Sequence, residues 1–331
     1  MERRSFIGRT LAGGALLGGA AGVSGVPPAH AKQSDHMIFA EDIRIERDVS
    51  GKPHKGKVFA AIQPHADDIP IFAAGLVAKL IKEGYTGYLI NTTNDDCYSG
   101  PLSVGETVID NEHDSEEVAR ALGLKKVFHL GYRNHRMDGV NPLEFMSRLV
   151  FLFRALKVDT VISFDHWAHY DINPDHFMTA RAVEAASWMA RGSKDFPEHF
   201  KIGLKPQDVP ERYYHALGPQ LINCVVDISS VIERKIRANM ANKAQGPAGN
   251  AGVKLKELLA KENKKLPILG DTDETANYQY VKNFLIEDEK KLGKKFGVEY
   301  AEAYHYVDIR WSEEEYAPTL KDYIKKHTVT L

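Results

Sequence analysis

Between residues 57 and 165, four short apolar runs, KVFAAI (57–62), GYLINTT (87–93), KVFHLGY (126–132) and DTVISFD (159–165), alternate with three stretches of helical periodicity. The runs are rich in β-branched and aromatic residues, as buried strands are. The intervening segments 70–83, 110–122 and 143–156 repeat apolar residues at three- and four-residue spacing, which predicts helices. Strand, helix, strand in this order requires right-handed crossovers and a mostly parallel sheet covered on both faces. The expected class is α/β, a Rossmann-like, mostly parallel sheet with helices on both faces and C-terminal elaborations.

Past residue 190 the pattern loosens. RYYHAL and LINCVVDI predict two more strands, and a helix is expected from Ser229 to Lys243. The glycine-rich start of 246–277 predicts a mobile insertion carrying one short amphipathic helix. No repeat or interdomain linker interrupts the chain, so residues 32–331 are expected to form a single domain with a core built from a composition that is 43% hydrophobic.

The first 31 residues are set apart from that domain. Arg3 and Arg4 precede Phe6 and Ile7, a weakly apolar Gly/Ala-rich stretch follows, and Ala29-His30-Ala31 offers a small-residue cleavage site. The pattern resembles a twin-arginine export signal, which predicts a periplasmic or extracellular protein. The competing reading, a membrane-anchoring helix, is weakened by a short, glycine-rich apolar run, so no stable membrane insertion is expected after cleavage. Loss of Arg3, Arg4, Arg9 and Glu2 takes the net charge from −2 to −4. That charge leaves no basic footprint for nucleic acid. Cys97 and Cys224 are the only cysteines, too few for a disulfide framework or a cysteine-based zinc site; they either pair or belong to the core.

Two polar clusters sit where apolar strands give way to helices, the position at which open α/β sheets place their ligands. The first, PHADD (64–68), sets His65 and Asp68 three residues apart, close enough for an imidazole nitrogen and a carboxylate oxygen to meet one cation. Two adjacent aspartates repel when buried, and a divalent metal would remove that cost while leaving Asp67 free as a base. The plainer reading is a helix-capping aspartate beside a histidine in a polar turn. The second cluster, FDHWAHYDINPDH (164–176), carries His166, His169 and His176 with Asp165, Asp171 and Asp175. If the two strands are neighbours, both clusters reach one rim, and three protein ligands with an open fourth position is how catalytic zinc sites are built.

PHADD followed by NPDH resembles the two signature motifs, AHPDDE and HPDH, of the PIG-L (LmbE-like) family of zinc-dependent N-acetylglucosaminyl de-N-acetylases. TNDD after the second strand, ARALGLKKVFHLGYRN, VVDIS with a helix carrying Lys235, and YAEAY (300–304) are similar to further family segments in the same order. The resemblance covers residues 57 to 305. It implies that His65, Asp68 and His176 are ligands to zinc, with other divalent metals also compatible, and that Asp67 is the general base. The chemistry implied is amide hydrolysis, in which zinc lowers the pKa of bound water from about 15.7 toward about 7 and Asp67 takes its proton.

Departures from the family pattern mark where this chain differs. Ile69 stands where a glutamate is usual, and Asn173 where HPDH begins with a histidine that assists the oxyanion; an asparagine amide donates a hydrogen bond but transfers no proton. His166 and His169 are candidates to fill that gap. Asn111 and Asn134 stand at positions that face the sugar in relatives. Asp96, Arg133, Asn134 and Asp138, together with Trp167 and Tyr170 as stacking surfaces, are the candidate substrate contacts; the plainer reading of each is a solvated loop or packing. Trp188 is expected in the core, and His113, His135 and His305 are read as ordinary lone histidines. The expected function is an exported zinc hydrolase that removes the acetyl group from an N-acetylated amino sugar or glycoconjugate. The alternatives are a carbohydrate-binding protein with weakened turnover, motivated by Asn173, or a hydrolase of a different amide.

Overall fold

The computed structural model describes residues 37–97, 102–168, 171–245, 249–310 and 320–330; the segment read as an export signal lies outside them. Eight strands, β1 Met37–Glu46, β2 Val58–Gln63, β3 Thr86–Thr93, β4 Lys126–Tyr132, β5 Thr160–Phe164, β6 Glu211–His215, β7 Gln220–Asp227 and β8 Ala301–Asp308, form one sheet in the order β1-β7-β8-β6-β5-β2-β3-β4. Every neighbouring pair is parallel except those made by β8, which runs antiparallel to both β6 and β7. Helices α1 Asp68–Phe72, α2 Ala74–Lys82, α3 Val104–Leu122, α4 Pro142–Leu156, α5 Pro174–Met189, α6 Glu198–Lys201, α7 Ile232–Ala241, α8 Ala251–Lys261, α9 Asp273–Tyr280, α10 Glu287–Lys295 and α11 Leu320–His327 complete the described chain.

The central strands bury both faces, so they read as continuous apolar runs rather than alternating ones: Phe59, Ala60, Ala61 and Ile62 of β2 are all fully buried. One face packs against α2, α3 and α7 through Leu76, Leu122 and Ile236. The other packs against α4 and α5 through Phe145, Leu149 and Val183. The expected α/β class is the observed one. β1 was not foreseen, because four of the ten residues of MIFAEDIRIE are charged and its side chains are half-buried or exposed, as suits an edge strand.

Local chemistry sets the helix ends. Ser103 and Glu106 form a reciprocal capping box that starts α3 earlier than periodicity suggests, and Gly123, with φ +81°, ends it. The Asn141 side chain accepts from Leu143 N at 2.9 Å to start α4 at Pro142.

The helix expected over 70–83 is instead two helices that turn at Ala73. Glu302, on β8, accepts from Gly75 N at 2.9 Å and Leu76 N at 2.7 Å, so a carboxylate from far along the chain caps α2. Gly75 is required there: a Cβ would lie 2.7 Å from the Ile228 side chain and 2.8 Å from Glu302 Oε1. Lys235 of α7, also buried, donates to Glu302 Oε1 at 2.7 Å and to Ile71 O at 2.6 Å, and Asn239 donates to Pro70 O at 2.7 Å. These contacts tie α1 to α7 and β8.

Within 246–277, expected as an insertion with one helix, the described residues hold α8 and the start of α9. Gly252 lies so close to Ala276 that a Cβ would stand 2.1 Å from its carbonyl oxygen, and Val253 N donates to Asn277 Oδ1 at 3.1 Å. Trp188, expected in the core, is 57% exposed on the solvent side of α5. Cys97 and Cys224 are both free thiols, the first exposed and the second buried, so they do not pair. No described helix is long and apolar enough to cross a membrane.

Candidate metal centre

β2 ends at Gln63, and the next residues turn sharply into α1. The turn is held from several sides. His65 N donates to Asp68 Oδ2 at 2.8 Å, Ile69 N to Gln63 Oε1 at 2.8 Å, and Ala66 N to Asp95 Oδ2 at 2.9 Å. Thr93 Oγ1 donates to Pro64 O at 2.5 Å. Thr93 and Asp95 come from the end of the neighbouring strand β3, and Asp95 adopts a left-handed backbone, φ +55°, to reach the turn. An aspartate tolerates that region better than most side chains. Ile69, where a glutamate was noted as usual, is fully buried in the core.

β5 lies beside β2, and the helix that follows it brings His176 to the same rim. The nearest ligand atoms of His65, Asp68 and His176 all lie within 4.8 Å of one another, and all three residues are buried. His65 Nδ1 is 3.1 Å from His176 Nε2 and 3.4 Å from Asp68 Oδ2, and His176 Nε2 is 3.6 Å from Asp68 Oδ1. The outer nitrogens are equally constrained: His65 Nε2 lies 3.2 Å from Asp175 Oδ2, and His176 Nδ1 lies 3.0 Å from Asp171 Oδ2.

This geometry tests whether the site fits a cation. An ionised carboxylate only accepts, so the nitrogen facing Asp175 and the nitrogen facing Asp171 must each carry the proton. When both imidazoles are neutral, their inward nitrogens hold lone pairs aimed at one another and at a third anionic group. Such an arrangement needs positive charge at its centre, and a metal ion supplies it with both histidine tautomers already fixed by outer carboxylates.

The electrostatics agree. Burial would lower the His65 pKa, but Asp68, Asp175 and Asp95 outweigh it and raise it well above the ordinary value. Burial works to raise Asp68, yet His176 and His65 hold it below the ordinary range. Asp67 differs: burial, then Asp68 and Asp95, push its carboxyl up to about 7. Its side chain makes no capping bond to α1 and it is partly exposed, which leaves it able to take and return a proton near neutral pH.

The remaining predicted residues divide. Asn173 stands at the start of α5, where its Oδ1 accepts from Asp175 N at 3.0 Å; the oxygen is a helix cap, and only the Nδ2 hydrogens are left to serve a substrate. Asp96 is buried and accepts from Arg133 Nε at 2.8 Å and from Asn134 N at 3.1 Å. Asn134 Nδ2 in turn donates to Asp95 Oδ1 at 2.7 Å. Asp96 and Asn134, expected to meet substrate, thus also link the β3 and β4 loops, while the Asn134 side-chain oxygen is buried without a partner among the described residues. Asn111 is another strut, donating to Asp95 O at 3.2 Å. Arg133 and Asp138 are exposed, the first paired with Asp96. Trp167 is 67% exposed. Tyr170 and His169 lie outside the described residues.

Three functional positions escaped the sequence reading as such. Asp175 is fully buried, and besides His65 it accepts from His135 N at 2.7 Å and Met137 N at 3.3 Å, binding the loop after β4 to the centre. Asp171 and Asp95 are the others; all three were visible as residues beside the motifs, without a signal for their direction. His215, at the end of β6, is also buried, stacks on Phe72 at 5.1 Å between centroids, and is held neutral by burial, its pKa down to about 3.

Comparison with known proteins places these observations. The family model described as PIG-L, GlcNAc-PI de-N-acetylase, matches residues 60–187, which contain all three candidate ligands. The diacetylchitobiose deacetylase of Thermococcus kodakarensis is 29% identical over 196 residues, covering 58% of this chain and 71% of the relative. Among solved structures, the N,N'-diacetylchitobiose deacetylase of Pyrococcus horikoshii with an inhibitor bound superposes with a TM-score of 0.61 at 23% identity, over 79% of this chain and 87% of that one. A 4-carboxy-2-hydroxymuconate hydratase from Pseudomonas putida superposes with a TM-score of 0.55 at 16% identity, over 78% and 98%. Likeness at that distance establishes the fold and leaves the reaction to the site.

Proposed function

We propose, from the match of residues 60–187 to the PIG-L family model, that this chain is a PIG-L family protein and an exported zinc-dependent hydrolase that removes the acetyl group from an N-acetylated amino sugar or glycoconjugate. The observation that carries the reading is the pair of inward imidazole nitrogens, 3.1 Å apart and facing Asp68, with Asp67 beside them and uncommitted. Relatives that act on acetylated sugars support the substrate class. Export rests on the pattern of residues 1–31.

His65, Asp68 and His176 would hold the ion; two imidazoles and one carboxylate with an open position suit zinc. When bound, such an ion supplies a Lewis acid and makes water acidic near neutral pH. The chain does the rest. Asp67 takes a proton from the attacking water, the water oxygen forms a bond to the acetamide carbon, and the carbon–nitrogen bond breaks as Asp67 returns the proton to the departing amine. Asp171 and Asp175 keep both imidazoles in the tautomer that presents a lone pair inward. Asn173 Nδ2 donates a hydrogen bond to the carbonyl oxygen as charge develops there.

The capping bond of Asn173 favours one second reading, a sugar-binding protein with weak turnover. Acetate release from a panel of N-acetylated sugars by the zinc-loaded chain separates the two. Release that falls by about 10²–10⁴ in Asp67→Asn, with zinc still bound, supports the hydrolase. Sugar binding without release in the unaltered chain supports the binder.

A further inference from the structure

Asp165 and His305 form a pair that the metal centre does not use. Asp165 directly follows β5, and its Oδ2 lies 3.0 Å from Nδ1 of His305 on β8. The carboxylate is immobilised: Gln220 Nε2 donates to Oδ2 at 2.9 Å and Trp167 N donates to Oδ1 at 2.8 Å. The Asp165 side chain is 1% exposed, whereas that of His305 is 17% exposed. Because the carboxylate only accepts, Nδ1 of a neutral His305 carries the proton and Nε2 keeps its lone pair. Among the described residues no hydrogen bond occupies Nε2. A purely structural tie between β5 and β8 would have no need to leave that nitrogen open at a part-exposed edge.

The surroundings suit a sugar. Trp167 is bonded through its backbone to the same carboxylate and turns a largely exposed indole outward. The His166 ring lies 4.7 Å from Trp167 and 6.1 Å from Tyr214, whose ring is 6.2 Å from His305, so the group is contiguous. Its place is also defined, since Phe164, the residue before Asp165, stacks on the ligand His176 at 4.0 Å. We propose that Trp167 and His305 form a second saccharide subsite beside the metal centre, which takes the sugar unit joined to the one being deacetylated. His305 Nε2 accepts a sugar hydroxyl, the indole covers a pyranose face, and Asp165 is a positioning residue that fixes the imidazole.

The proposal rests on the deacetylase reading, and the test keeps the two apart. Acetate release from N,N'-diacetylchitobiose and from N-acetylglucosamine is compared in the full zinc-loaded chain, in His305→Ala and in His305→Gln. The expected result for His305→Ala is a KM for the disaccharide raised about tenfold, as for one lost hydrogen bond, with kcat and the monosaccharide reaction unchanged. His305→Gln, whose side-chain carbonyl accepts from a hydroxyl, restores part of the loss. An equal fall in kcat on both sugars, or no change on either, overturns the subsite. If the unaltered chain cleaves neither sugar, the deacetylase reading fails alone, and the subsite is judged by tryptophan fluorescence during titration with N,N'-diacetylchitobiose. A saturable change that is lost in Trp167→Phe and weakened in His305→Ala sustains it; no saturable change overturns it.

Discussion

The two loops that carry the candidate metal ligands are built in opposite ways. The turn after β2, residues 64–68, is buried except at Asp67 and clamped by Gln63, Thr93 and Asp95. The loop between β5 and α5 is longer and more open: Trp167 is 67% and Ile172 92% exposed, and among its described residues the anchoring bonds lie at Asp165 and at Asp171 to His176. In the proposed mechanism the first supplies a base and two ligands. The second supplies one ligand and a surface. The proposed chemistry thus falls in the more tightly bonded turn, and the proposed substrate contact in the more exposed loop.

The contrast is open to attack where it is strongest. Lys235→Met removes the cation that joins α1, α7 and β8 and leaves Glu302 buried without it, so the folded state should lose about 3–5 kcal/mol. Urea denaturation measures this, and a variant of unaltered stability would show that the rigid turn needs no such pin. Protonation probes the same turn. His65 is raised well above its ordinary pKa and Asp67 is raised to about 7. Both groups hold protons in the folded metal-free chain that the unfolded chain has released, so their contribution is present at low pH and fades as pH rises through the folded values. Thermal melts of the metal-free chain should therefore fall between about pH 5 and pH 8, and saturating zinc should abolish that slope. A slope of the other sign would mean that the lone pairs do not face each other.

Smaller effects sharpen the comparison. Asp171→Asn and Asp175→Asn should each weaken zinc binding by about 10–100-fold, because an amide no longer fixes the histidine tautomer. Asp175→Asn should be the worse of the two, since it also loosens the His135 loop; competition with a chelating dye would rank them. Trp167→Ala, in the open loop, should leave kcat and zinc affinity intact and raise KM by roughly 2–10-fold, the value of one aromatic contact. A loss of zinc in that variant would erase the distinction between the loops.

Legibility in the sequence followed the range of the interactions. His65, Asp67 and Asp68 stand within four consecutive residues at a strand end, and a local motif reveals a local turn. Six of the eight strands were readable for the same reason, β1 and β8 being the exceptions. What escaped was fixed across distance: α2 is capped by Glu302, some 226 residues away, and no periodicity within 70–83 announces the break at Ala73. Asp96 and Asn134 look like exposed ligands of a loop because their hydrogen-bond partners lie on another loop. His305 reads as a lone histidine because its partner lies 140 residues earlier.

The position of β8 also imposes a schedule. The last strand of the sheet sits third in its order, between β7 and β6, and carries the carboxylate that caps α2. A ribosome adding about 5–20 residues per second needs tens of seconds to pass from the ligand turn to that strand. Through that interval the nascent chain has His65 and Asp68 without the wedge that sets α1 against α2. The α1–α2 turn beside the candidate ligands therefore gains its full set of tertiary contacts only when nearly the last tenth of the chain has been made.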